Sequence, residues 1–125
     1  MWEVELLPEF AEWWRGLPED ARQAVSHDVK LLASAGPMLR RPFADTVRGS
    51  RYPNMKELRT MHLGRQYRTF FAFDPRRCAI VLVGGDKTGD ARFYERMIAR
   101  ADALFEAHLA RIDGGDRGFN ERSRS

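Results

Sequence analysis

The sequence lacks the features that mark several classes of protein. Its 125 residues contain one cysteine, Cys78, so no internal disulfide can form, and three histidines without the spacing of metal ligands. No apolar run reaches the roughly 18 residues that a membrane span needs. The first residues, Met-Trp-Glu, do not resemble a secretory signal. We therefore expect a cytoplasmic protein that binds neither a metal nor a cofactor, with Cys78 as a small buried residue.

Positive charge is concentrated in the middle of the chain. Residues 40–92 contain 12 Lys or Arg against 5 Asp or Glu, whereas residues 1–39 contain 3 against 7. Residues 93–125 are balanced at 6 against 6, so the overall charge of +3 conceals a basic segment. Such segregation indicates a polyanionic partner.

The spacing of apolar residues predicts one α+β domain at residues 1–112. Residues 36–54 are predicted to form a long irregular loop, because Gly36 is followed there by three prolines and one further glycine. Residues 113–125 are polar and Gly-rich, which predicts a disordered tail. The predicted elements are a strand at 2–7, helices beginning at Pro8 and Pro18, strands at about 55–62, 65–74 and 78–84, and a helix at about 90–112.

Two arginines stand in neighbouring strands of a predicted antiparallel hairpin. On the strand 55–62, Glu57 and Arg59 share the face opposite Leu58, either as a salt-linked pair or on a solvated outer face. Arg68 lies inside an apolar strand, where a charge is costly unless it is paired. Arg59 and Arg68 would repel each other, and a phosphate between them would relieve that repulsion. The alternative for Arg68 is a buried structural pair with an acid.

A glycine-rich connection and an aromatic pair follow the last strand. Gly84 and Gly85 would let the backbone approach a ligand, although the spacing is not that of a Walker loop. The alternative is a plain flexible connection that places Lys87 at the end of the sheet. Tyr94, one position off the apolar stripe of the last helix, either faces the sheet's working surface or packs against it.

The order of these elements and four short sequence motifs resemble the RelE/ParE superfamily of bacterial toxins. The motifs are MKELR at 55–59, YRTFFAFD at 67–74, GGDK at 84–87 and FYERMI at 93–98. Together they are similar to the HigB-like, phage-derived Gp49-like branch. The resemblance implies a RelE-like fold, which is an antiparallel β-meander sheet with an N-terminal αα-hairpin and a C-terminal helix packed on it.

The resemblance also implies a function. Such toxins of type II toxin–antitoxin systems are ribosome-dependent mRNA interferases, which are endoribonucleases that use no metal and cut mRNA in the A site of the 30S subunit. The 2′-hydroxyl of the mRNA attacks the adjacent phosphate and leaves a cyclic phosphate. The partner that the resemblance implies is a helix-turn-helix antitoxin. Two alternatives stay open: a ParE-like toxin that binds gyrase and has no nuclease activity, and a non-catalytic nucleic-acid-binding domain.

Site residues can be carried over by position in the motifs. Some members of the superfamily have a His-Tyr pair or a histidine cluster at the end of the fourth strand, and this chain has none. Glu57 is therefore the candidate general base, or else it only holds Arg59 in place. The predicted catalytic residues are Glu57, Arg59, Arg68, Lys87 and Tyr94, and the predicted RNA-binding residues are Arg48, Arg51, Lys56, His62 and Arg65.

Overall fold

The computed structural model describes residues 1–124, with side chains for residues 1–113. The last helix, predicted at about 90–112, continues through Arg124 and so includes most of the tail expected at 113–125. Side chains beyond residue 113 are outside the described part, and the disorder of the tail stays a prediction. The elements in chain order are β1 (Val4–Leu6), α1 (Pro8–Arg15), α2 (Glu19–Ala35), a 3₁₀ helix (Gly36–Met38), β2 (Ala44–Thr46), β3 (Lys56–His62), β4 (Arg65–Phe73), β5 (Ala79–Asp86) and α3 (Phe93–Arg124).

Both N-terminal helices have the local signals from which they were predicted. Pro8 is the first residue of α1, where its missing N–H costs no helical hydrogen bond. Glu19 and Asp20 lie in the first turn of α2, near the positive end of the helix dipole. Gly36 ends α2 with a φ of 58°, a conformation that favours glycine.

The five strands form one sheet in the order β1-β5-β4-β3-β2. The pairs β3–β4 and β4–β5 are antiparallel, which confirms the predicted meander. β1 pairs with β5 in parallel, so the complete sheet is mixed. β5 is an interior strand, and its residues from Ala79 to Val83 are fully buried, which accounts for its unbroken apolar run.

Helices cover both faces of the sheet. Leu58 and Phe71 pack in the core with residues of α1 and α2, such as Phe10 and Val25. Residues of β4 and β5 on the opposite face pack in a second core with α3. The α+β class and the RelE-like arrangement predicted from the sequence are therefore present. Among the described residues, no helix is apolar over a length that could cross a membrane.

The segment 36–54 is not the wholly irregular loop that its composition predicted. It contains the 3₁₀ helix and β2, which pairs antiparallel with β3 so that Ala44 faces Leu58 and Thr46 faces Lys56. With only three residues, β2 is too short to show a periodic pattern in the sequence. It forms the edge of the sheet beside the candidate site.

Gly84 and Gly85 have a packing role that differs from the one predicted. A Cβ on Gly84 would lie 2.3 Å from the ring of Trp13, and one on Gly85 would lie 2.8 Å from the ring of Phe93. Both distances are too short for a side chain to be tolerated without movement. The lack of a side chain at these glycines therefore leaves room for the Trp13 ring on one face of the sheet and the Phe93 ring on the other.

Candidate active site

The candidate site is built around one carboxylate between two arginines. Arg59 and Arg68 are direct partners in the β3–β4 register. Oε2 of Glu57 lies 3.2 Å from Nε of Arg59, and Oε1 lies 3.7 Å from Nε of Arg68. The side chains of Glu57 and Arg68 are 4% and 7% exposed, whereas that of Arg59 is 33% exposed. The shared carboxylate offsets the repulsion between the two arginines. Of the three side chains, that of Arg59 is the one that reaches solvent.

Tyr94, in the first turn of α3, joins this group from the helix side. Its hydroxyl donates a hydrogen bond of 2.8 Å to Oε1 of Glu57 and accepts one of 3.3 Å from Nε of Arg68. Burial raises the pKa of the Tyr94 hydroxyl; the hydrogen bond from Arg68 opposes this rise and the Glu57 carboxylate adds to it. The phenol is therefore uncharged at neutral pH and acts as a donor to Glu57.

Lys87 approaches the same group from the end of β5. Its Nζ lies 5.5 Å from the centre of the Tyr94 ring, within the range of a cation–π contact. The backbone N–H of Lys87 donates to the carbonyl oxygen of Gln66 at 2.9 Å, which extends the β4–β5 pairing past the strand end. The connection that carries Lys87 is thus held to the sheet.

Asp45 of β2 and Arg41, which precedes that strand, line the site although the sequence analysis did not select them. Oδ2 of Asp45 lies 3.3 Å from Nη2 of Arg59 and 2.8 Å from Nη2 of Arg41. The hydrogen bond from Arg41 is the main cause that lowers the pKa of Asp45. The available signal was the Thr46-Val47 pair between Pro42 and Gly49, since β-branched residues bounded by breakers are typical of a short strand.

These residues line an open cleft of about 460 Å³. Arg68 lies beneath the cleft, where it is hydrogen-bonded to the Tyr94 hydroxyl and close to Glu57. With four cationic and two anionic side chains in its wall, the cleft suits an anionic ligand. The lining residues are Arg41, Asp45, Thr46, Val47, Arg48, Glu57, Arg59, Lys87 and Tyr94.

Of the five predicted RNA-binding residues, only Arg48 lines this cleft. Lys56 and His62 leave β3 on the face opposite Glu57, because side chains alternate along a strand. Nε2 of His62 lies 3.0 Å from Oδ2 of Asp20 in α2. Lys56 lines a neighbouring groove behind β2.

Arg51 and Arg65 are engaged in ion pairs away from the cleft. Nη2 of Arg51 lies 2.7 Å from Oε2 of Glu106, and that contact is the main cause that raises the pKa of Arg51. Nη2 of Arg65 lies 2.6 Å from Oδ2 of Asp86. The structure thus gathers all five predicted catalytic residues and disperses most of the predicted RNA contacts.

A second polar cluster lies at the opposite end of the sheet. The side chain of Asp74 is fully buried; its Oδ2 lies 2.7 Å from Nη2 of Arg76 and 3.0 Å from Nε2 of His108. Burial by itself would raise the pKa of Asp74, but the hydrogen bonds from His108 and Arg76 outweigh it and lower the pKa. Cys78 lies alongside, and burial raises the pKa of its thiol, as fits an inert buried residue.

No group of three or more His, Cys, Asp or Glu that could hold a metal ion occurs among the described residues.

Comparison with known sequences identifies relatives along most of the chain. A family model described as "Phage derived protein Gp49-like" matches residues 12–106. The chain is 45% identical over 113 residues to the "Putative toxin HigB3" of Mycobacterium tuberculosis, covering 90% of this chain and 97% of that protein. It is 44% identical over 103 residues to the "Putative toxin HigB2" of the same organism, covering 81% of this chain and 51% of that protein. The chain thus spans about half the length of the second relative.

Comparison with solved structures confirms the RelE-like fold. A mutant of the E. coli toxin RelE in the free state matches with a TM-score of 0.56 at 14% identity, covering 75% of this chain and 92% of that chain. A chain of the intact E. coli RelBE toxin–antitoxin complex matches with a TM-score of 0.52 at 13% identity, covering 68% and 95%.

Proposed function

The chain belongs to the phage-derived Gp49-like family and is homologous to the HigB toxins, and we propose that it is the toxin of a type II toxin–antitoxin system. In this proposal it acts in the cytoplasm as a ribosome-dependent mRNA interferase that cuts mRNA in the A site. Its partner is a helix-turn-helix antitoxin. The structural match to a chain of a toxin–antitoxin complex supports an antitoxin partner, and the helix-turn-helix class of that partner is part of the proposal.

The observation that supports cleavage best is the arrangement of Glu57 between Arg59 and Arg68. A phosphate group of RNA has the charge and the paired oxygens that a guanidinium binds most strongly. The Arg59 side chain is one-third exposed, so it can turn from Glu57 to a phosphate in the cleft. Such a movement would free Oε2 of Glu57, while Arg68 stays buried beneath.

The freed carboxylate can then act as the general base. It takes the proton from the 2′-hydroxyl as the bond from O2′ to phosphorus forms and the bond from phosphorus to O5′ breaks. The products are a 2′,3′-cyclic phosphate and a free 5′-hydroxyl, and the departing O5′ takes a proton from the ammonium group of Lys87. Arg59 and Arg68 neutralise the charge that develops on the phosphate oxygens.

Tyr94 has two tasks in this scheme. Its uncharged hydroxyl keeps Oε1 of Glu57 hydrogen-bonded, so that the carboxylate is held in position during the reaction. Its ring, beside Lys87, offers a surface on which an RNA base can stack.

Inducible expression of the wild type and of Arg59→Ala, with mRNA ends mapped on isolated ribosomes, tests the proposal. We expect growth arrest and new mRNA ends with the wild type, and neither with Arg59→Ala. Arg100→Ala, a change at an exposed position of α3, is the matched control and should behave like the wild type. Growth arrest with intact mRNA and gyrase-linked DNA breaks would instead identify a ParE-like poison, and nucleic-acid binding without arrest would indicate a non-catalytic domain.

A further inference from the structure

Phe43 is an aromatic residue that the fold leaves uncovered beside the cleft. It precedes β2, and its side chain is 44% exposed, although burying a phenylalanine is strongly favourable. Tyr94 is the only aromatic ring among the side chains that line the cleft in the described part of the chain. Phe43 is thus a second aromatic ring in this part of the structure that is open to a ligand.

The position of Phe43 relative to Arg59 follows from the strand register. Ala44 pairs with Leu58, so Phe43 stands opposite Arg59 one position further along. The backbone N–H of Arg59 donates to the carbonyl oxygen of Phe43 at 2.8 Å, which shows that the pairing extends this far. Directly opposed residues share a face with their Cβ atoms roughly 5 Å apart. The register thus places Phe43 on the same side of β2 as Arg59, the arginine that we expect to bind the phosphate.

A second basic groove adjoins the cleft on the other side of β2. It has a volume of about 270 Å³ and shares Arg41 and Asp45 with the cleft. Arg40 and Lys56 line it as well, and the structure shows no ion pair for either among the described residues. Arg41 therefore stands between two adjoining cavities, and the groove carries three cations against one carboxylate.

We propose that Phe43 and this groove form a second nucleotide subsite for single-stranded RNA, and this inference rests on the proposed function. A base next to the cleaved position stacks on Phe43 on the Arg59 side of β2, and the adjoining backbone phosphate is held on the other side by Arg40 and Lys56. Arg41, which pairs with Asp45, stands between the two sides. The RNA strand thus crosses the sheet edge at β2. An exposed aromatic ring together with cationic side chains is the combination by which proteins bind single-stranded nucleic acid.

A short RNA that cannot be cut gives a direct test of the base-stacking part. The probe is a single-stranded hexanucleotide with 2′-O-methyl groups throughout and one 2-aminopurine, titrated at low salt with the full chain. We expect Phe43→Ala to bind about 10-fold more weakly and to lose the quenching of the fluorescent base, whereas Phe43→Tyr retains both. Leu63→Ala, which removes an 81% exposed apolar side chain at the β3–β4 turn, is the control and should bind like the wild type.

The groove is tested by the salt dependence of the same titration. Removing one phosphate contact with the double variant Arg40→Ala/Lys56→Ala should lower the slope of log Kd against log salt by about 0.7. An unchanged slope would remove the groove from the subsite.

Cleavage mapped in cells separates failure of this inference from failure of the proposed function. Suppose that the wild type arrests growth and cuts mRNA, and that Phe43→Ala binds and quenches the probe as the wild type does. This result overturns the subsite and leaves the proposed function intact. A wild type that binds and quenches the probe without cutting mRNA contradicts the proposed function and supports the subsite. A wild type that does not bind the probe, or a Phe43→Ala variant that loses only binding to the antitoxin, overturns the subsite.

Discussion

The hydroxyl of Tyr94 lies 2.8 Å from Oε1 of Glu57, so a helix and a strand that are far apart in the sequence are joined by a hydrogen bond to a buried carboxylate. A carboxylate in that position is costly unless donors surround it. The Tyr94 hydroxyl that donates to Glu57 also joins α3 to the sheet. Activity and stability are therefore coupled at this contact.

Removing only the Tyr94 hydroxyl should affect both properties. Tyr94→Phe keeps the ring but deprives Glu57 of a donor, and we expect a loss of about 1–2 kcal/mol in the free energy of unfolding. Cleavage of mRNA should fall by roughly 10-fold or more, since the base is less well held. Urea denaturation and mapping of mRNA ends measure the two effects. For the hydroxyl of Tyr52 the described residues offer no hydrogen bond, so Tyr52→Phe should change neither property.

The pKa of Tyr94 predicts a stability effect in alkaline solution. Burial raises this pKa in the folded protein, so the uncharged Tyr94 hydroxyl contributes to the free energy of unfolding. That contribution is fully present below the ordinary tyrosine pKa of about 10 and is lost as the pH rises above it. The free energy of unfolding of the wild type should fall above about pH 10 more steeply than that of Tyr94→Phe. Equal slopes for the two proteins would contradict the assignment of the shift to this residue.

The two arginines should respond differently to removal. Arg59→Ala takes away a one-third exposed side chain, and we expect less than about 1 kcal/mol of destabilisation with loss of cleavage. Arg68→Ala removes a buried partner of Glu57, and we expect about 3 kcal/mol of destabilisation. Thermal and urea unfolding of both variants test this. Equal destabilisation by the two would show that burial does not separate their roles.

The Asp74 cluster should govern part of the acid stability. The pKa of Asp74 is lowered in the folded protein, so its ionised carboxylate contributes to the free energy of unfolding. That contribution is present above the ordinary pKa of about 3.9 and is lost as the pH falls below it. Asp74→Asn should cost about 3 kcal/mol at pH 7 and reduce the fall in stability between pH 5 and pH 2. Glu12→Gln, at an exposed position of α1, is the matched control and should change little. Unfolding free energies measured across that pH range decide between these outcomes.

The close approach of Trp13 to the sheet predicts an effect at Gly84. A Cβ there would clash with the Trp13 ring, and Gly84→Ala should destabilise by about 1–3 kcal/mol. Gly16→Ala is the control, because a Cβ at that position would have no neighbour nearer than 3.5 Å, and it should be close to neutral. Thermal unfolding of the two variants provides the measurement, and a neutral Gly84→Ala would contradict the packing argument.

Local signals in the sequence were sufficient to place the arginine pair. Leu63 and Gly64, with φ values of 48° and 78°, form the two-residue turn between β3 and β4, and such a turn fixes the strand register. The sequence therefore predicted Arg59 and Arg68 as near neighbours on adjacent strands, and the observed register makes them direct partners. Strand alternation separated Glu57 from Leu58 in the same way.

Contacts between layers could not be predicted from those signals. The partners of Arg51 and His62 lie on α3 and α2, and the docking of a helix on a sheet is decided by packing across the whole interface. Asp45 was missed because β2 has three residues and pairs only at the sheet edge. The sequence could therefore place the candidate residues along their strands, but it could not give the contacts that another layer supplies.

The parallel pairing of β1 with β5 has a consequence for the order of folding. β1 is the first strand to be synthesised and β5 is the last, so the pair closes a very long loop and forms late. The cleft also requires Tyr94, which follows β5 in the chain. The sheet and the cleft are therefore completed only after β5 and the first turn of α3 have both been synthesised.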